Sequence, residues 1–138
     1  MNYTRLFLAS LAAFVAYFAS GSVVFGIGLA KEYAQYPALY RTAEGIKTVM
    51  PIGMLSTFVS LVVVSILYAK GYQGGSGLAE GARFGVLIGI FAVCGFVFHN
   101  YVNLNIGLRL TLLQAVAYFA EWVLVGVAIG LVYRPAAR

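Results

Sequence analysis

Residues 108–133 read LRLTLLQAVAYFAEWVLVGVAIGLVY, an apolar run whose interior holds one charge, Glu121. Crossing about 30 Å of hydrocarbon takes roughly 20 predominantly apolar residues in a helix, so this stretch is read as a membrane span. Three earlier stretches have the same character, from Leu6 to about Ala30, Val49 to about Ala69, and about Gly81 to Val102. None of the four shows the strict alternation of a membrane β-strand, and in lipid only helices and closed barrels satisfy their own backbone. The sequence therefore predicts an all-α membrane protein, an antiparallel four-transmembrane-helix bundle forming one domain over residues 1–138.

Composition points the same way. Of 138 residues 62% are hydrophobic and only 9% charged, against about 25% charged in an ordinary soluble domain; mean hydropathy is +0.93. Tyr3, Tyr33, Tyr68, Tyr101 and Tyr133 fall near the ends of the expected spans, where an aromatic ring with a polar tip is favoured. The net charge of +5 is spread over the flanks of apolar runs, a pattern of membrane borders and not of a nucleic-acid footprint. Arg5 and the following apolar run, ending near Ala19, Ser20 and Gly21, resemble a secretory signal peptide. The run continues to Ala30, beyond the 7–15 residues of a signal core, and is read as a true first span.

Arg5, Lys70, Arg83, Arg134 and Arg138 fall on one side, and Lys31, Arg41, Lys47 and Arg109 on the other. The positive-inside rule then places both termini in the cytoplasm, by a single residue. The expected location is a bacterial inner membrane, with membrane lipids as partners and a homo-oligomer or larger membrane complex as the expected assembly.

Gly77, Gly81, Gly85 and Gly89 recur every four residues on the third span, and Gly126 and Gly130 on the fourth. This glycine-zipper spacing aligns small residues on one helix face, where another backbone can approach closely. The second loop, from Lys70, is glycine-rich and expected to be flexible. The first loop, Lys31 to Thr48, carries Tyr33, Tyr36 and Tyr40. It is read as an anchored connector, or alternatively as a lid over an outward-facing cavity.

Glu121 is the strongest functional hint, because an ionisable group at mid-membrane costs about 2.5–3.5 kcal/mol on insertion scales and so faces inward, towards a partner. Thr111, Gln114, Tyr118 and Glu121 share one helix face at spacings of three, four and three. Matching depth predicts hydrogen bonds to Glu121 from Tyr17 and Ser60. His99, Asn100 and Thr111 are expected to line a wet vestibule on the first-loop side. His99 is the only histidine and Cys94 the only cysteine, which excludes a bis-histidine haem or a disulfide within one copy. No cofactor or metal is expected. No nucleophile–base pair, phosphate loop or paired carboxylate is present, so the reading leans away from an enzyme.

The stretch Leu78-Ala-Glu-Gly-Ala-Arg-Phe-Gly85, an asparagine-containing turn and Gly126-Val-Ala-Ile-Gly130 resemble a bacterial family of small four-helix integral membrane proteins of unknown function. The resemblance implies a fold and a membrane location without an activity. Two functions follow from the residues. One is a non-enzymatic bundle, either structural or accessory or binding a lipid or small hydrophobic ligand. The other is a homo-oligomeric small-solute or proton-coupled transporter using Glu121.

Overall fold

The computed structural model describes residues 1–134. Arg138, counted above for orientation, lies outside the described residues. Four helices are long and apolar enough to cross a membrane: helix one, Tyr3–Gly28; helix two, Ala43–Gly71; helix three, Gly77–Asn103; and helix four, Leu108–Val132. They form an antiparallel bundle in which helix four is packed against helix three on one face and helix one on another, while helix two rests mainly on helix one.

The closest seam runs between helices three and four. A Cβ at Gly85 would lie 2.6 Å from the Trp122 carbonyl oxygen and 2.8 Å from Val123 Cα, and one at Gly126 would lie 2.6 Å from Gly85 Cα. Gly81 faces Gly126, and Gly77 faces Gly130, across the same seam. A Cβ at Gly89 would lie 3.0 Å from the Phe119 ring, a looser approach. Because partners descend along helix four as they ascend along helix three, the two helices are antiparallel. The glycine face thus meets a helix of the same chain.

At the end of the bundle holding the chain termini, Leu6, Ala9, Ala13, Leu61, Tyr68, Val125, Ile129 and Tyr133 form a buried cluster. Tyr68 of helix two reaches Phe84 of helix three there, ring centroids 5.4 Å apart. Towards the opposite end helix two loses its burial. Helix two starts six residues before the expected Val49, where Thr42 accepts a hydrogen bond from the Gly45 N–H at 3.3 Å; this is an N-cap signal that hydropathy does not register. Its first half, through Pro51 to Ser60, contains no buried residue, and burial begins at Leu61. Such a bare stretch is compatible with hydrocarbon on its sides, since a helix satisfies its own backbone there.

Helices one and three each pass into a π-helical segment, Ser22–Gly28 and Val93–Val97. The wider winding is visible in the Leu29 N–H bond to the Val24 carbonyl, five residues back, at 2.8 Å. π-Bulges of this kind rotate the downstream side chains relative to a regular helix. The second loop is held in place, against the expectation of flexibility. Glu80 accepts from the Gly75 N–H at 2.6 Å and the Gln73 N–H at 3.0 Å, Tyr72 donates to the Gly75 carbonyl at 2.8 Å, and Gly74 adopts φ +91°.

Gly85→Ala should destabilise the bundle by about 1–3 kcal/mol, the usual range for forcing extra carbon into a packed interior. Gly53→Ala, where an added Cβ meets nothing within 4 Å, should be neutral or gain up to about 1 kcal/mol from helix propensity. Unfolding titrations in mixed micelles followed by circular dichroism would check both.

Candidate functional site

Helix four carries the site on a face turned away from its glycines. Thr111, Gln114 and Glu121 are buried there and Tyr118 is half-buried, as the stripe spacing predicts for an inward face. The Thr111 hydroxyl donates back to the Gly107 carbonyl, four residues earlier, at 3.1 Å and so satisfies itself within its own helix. Tyr118 packs on Phe25 of the π-helical segment, centroids 4.7 Å apart.

Glu121 is 2% exposed. Its Oε1 accepts from the Ser20 hydroxyl at 3.4 Å. That hydroxyl also lies 2.7 Å from the Ala16 carbonyl and 3.2 Å from the Tyr17 carbonyl. A hydroxyl has one hydrogen to give, so the shorter backbone bond takes most of it and Glu121 receives little. Gly21 makes room for the carboxylate: a Cβ there would stand 2.9 Å from Oε1. No donor among the described residues reaches Oε2. Buried polar atoms are nearly always paired, so an orphan oxygen on a buried carboxylate marks a special position.

Around Glu121 lies a side-open groove of about 370 Å³ between helices one and four, lined by Ser20, Val24, Leu29, Leu113, Val116, Ala117, Ala120 and Leu124. Its rim residues Val116 and Leu124 are exposed apolar side chains, so in a membrane the opening faces lipid. Ser20 and Glu121 supply its polar side chains.

The residues expected near Glu121 are only partly assembled. Tyr17 lies alongside, but its ring packs edge-on against Trp122 at 5.9 Å and donates no hydrogen bond to the carboxylate. Ser60 is exposed on helix two and donates to the Ser56 carbonyl at 3.0 Å. Because Ser60 lies on the exposed side of helix two, depth matching alone put it in the wrong place. Ser20, one turn after Tyr17 and beside Gly21, occupies the role assigned to it. The signal was present as a small hydroxyl next to a glycine at the right depth.

His99 and Asn100 are exposed on helix three, while Thr111 is fully buried on helix four, so the three share no polar surface. The wet vestibule is not formed by these residues. Instead the first loop covers this end. After a single helical turn, Ala30–Tyr33, Tyr33 and Tyr40 pack at 4.7 Å and both accept from Gln114 Nε2, at 3.0 and 3.4 Å. Tyr36 accepts from the Gly107 N–H at 2.9 Å, and Glu32 pairs with Arg109 at 2.8 Å. The loop is therefore tied to helix four at three points, in keeping with an anchored connector. Burial pushes the Tyr33 hydroxyl above its ordinary value of 10.0, with the Gln114 bond acting in the other direction. Its neutral form is the one the fold favours, so this contribution is present below about pH 10 and is lost as pH rises beyond it.

Among the described residues no three His, Cys, Asp or Glu side chains gather, so the site's polar chemistry rests on Glu121 and Ser20. Comparison of the chain with protein-family models, curated proteins and solved structures matches none of them. The resemblance read from the third and fourth spans stands on those residues alone.

Gln114→Leu should free the loop more than Arg109→Ala does. The first strips the donor from two tyrosines at a buried position, costing about 1–2 kcal/mol. The second removes a pair whose arginine is 80% exposed, costing under about 1 kcal/mol. Amide hydrogen exchange over Tyr33–Tyr40 should rise in that order.

Proposed function

We propose that this chain is a non-enzymatic membrane bundle that binds a small hydrophobic molecule in the groove between helices one and four. The observation that carries the reading is the buried Glu121 carboxylate, with one oxygen unserved by the protein, in the wall of an otherwise aliphatic groove. Ligand sites commonly combine apolar walls with a few placed polar groups, and their volumes run from about 300 to 1,000 Å³. The groove falls within that range.

The stability arithmetic supports a site over a structural role. Burying a carboxyl at mid-membrane costs about 2.5–3.5 kcal/mol, and one long, shared hydrogen bond returns about 1 kcal/mol or less. Glu121 is a net burden on the fold, as is common for groups retained for what they bind. A transport role for Glu121 in an oligomer would require a water-accessible route to it. The aliphatic rim at Val116 and Leu124 favours entry from the lipid instead.

A decyl chain bearing a diazirine, photolysed with the protein in nanodiscs, should label Ser20–Val24 and Leu113–Leu124. Excess decanol should compete this labelling saturably, and Ala120→Leu, which fills the groove, should reduce it severalfold. Labelling spread evenly over bare surfaces such as Ile52 and Leu55, with no saturable competition, would overturn the reading.

A further inference from the structure

Resting on the groove reading above, we infer that the molecule bound beside Glu121 is an alkyl amine, whose ammonium group sits on the carboxylate while its chain lies along the aliphatic walls. Three observations converge on this chemistry. Oε2 is buried without a donor, and Oε1 has only a share of the Ser20 hydrogen. The described cations lie towards the ends of the helices or in the loops, and none forms an ion pair with Glu121: the pairs present join Lys47 to Glu44 and Arg109 to Glu32. Finally, the remaining wall is made by Val24, Leu29, Leu113, Val116 and Leu124, which offers nothing polar to a second head group.

A carboxylate held in low dielectric is stabilised most by a cation that also donates hydrogen bonds. An ammonium group provides both in a compact head with three donors. Oε2 is buried, so an ammonium serves both oxygens once the carboxylate turns towards the groove, with the Ser20 oxygen as a further acceptor. Gly21 lets the backbone of helix one pack against Oε1, so a head group approaches from the groove and not from that side. An alcohol offers a single donor and no charge. A ketone offers only an acceptor, which would need the carboxyl in its neutral form. The ligand's polar head is therefore expected at one point, with a linear apolar body extending out through the lipid-facing opening.

The test uses the decyl diazirine with the wild-type protein in zwitterionic nanodiscs and compares three competitors of similar length: decylamine, decanol and 2-dodecanone. Each concentration is expressed as mole fraction in the bilayer, so that partitioning is removed. Decylamine should compete about tenfold more strongly than decanol, the scale expected when a charge-assisted bond replaces a neutral one. In Glu121→Gln the same ratio should fall to near unity while decanol competition persists. Equal or stronger competition by decanol or the ketone in the wild type would overturn the amine inference and leave the groove reading standing. Absence of saturable competition by all three would overturn both. The three-way comparison is made within the wild type, so its outcome does not depend on the variant folding.

Discussion

Helix four touches helix three through backbone. At Gly85 and Gly126 the two main chains come so close that even a methyl group on either residue would overlap its neighbour. Small residues of this kind are what allow helices to pack where lipid gives no hydrophobic drive for their association. The contact also fixes the rotation of helix four. Gly126 lies five positions after Glu121, about 140° around the helix, so seating the glycine on helix three turns the carboxylate away from that seam. It comes to rest against Ser20 and Gly21 of helix one. The site thus depends on a contact in which it takes no part.

Helix two is packed into the bundle at one end and exposed along its first half, while the groove lies between helices one and four. Around the termini, Tyr68, Phe84 and Tyr133 draw helices two, three and four together over helix one. Beyond Leu61, towards its start, helix two has no buried residue and meets helix one through the Phe58–Phe14 ring contact at 5.6 Å, and helix one is left with an exposed side in Val23 and Ile27. The first loop then ties back onto helix four through Gln114, Gly107 and Arg109. It holds the outer end of the helix one–helix four seam, with Leu29 buried at the junction and lining the groove.

Much of the fold was legible in the sequence because a bilayer imposes length and hydropathy so strongly. The fourth span and the antiparallel turn after Asn103 are where spacing and composition put them, and the glycine spacing marked a close-packing face without telling which helix would meet it. The polar stripe of helix four was legible for the same reason, since Gln114 and Glu121 in hydrocarbon are driven inward. What failed was the use of depth as a guide to partners. Ser60 lies at a suitable depth, but whether a helix leans on or away from its neighbour is a packing outcome that hydropathy does not encode. The π-helical segments were also hidden, because Val and Gly around Ser22–Gly28 and Val93–Val97 fit a regular helix equally well. The early start of helix two was written in Thr42 and Glu44, as a cap and a first-turn acid, and was outweighed by the polarity of those residues.

On the reading proposed above, Glu121 is reached from lipid, through the groove, and not from water. Carbodiimides, which modify carboxyl groups, read this directly when a lipid-soluble and a water-soluble reagent are compared on the protein in liposomes, with modified peptides identified by mass. The account predicts that the lipid-soluble reagent modifies Glu121 and the water-soluble one does not, while Glu44, whose side chain is 82% exposed, reacts with the water-soluble reagent. Modification of Glu121 by the water-soluble reagent at a rate comparable to Glu44, or resistance of Glu121 to both, would contradict it.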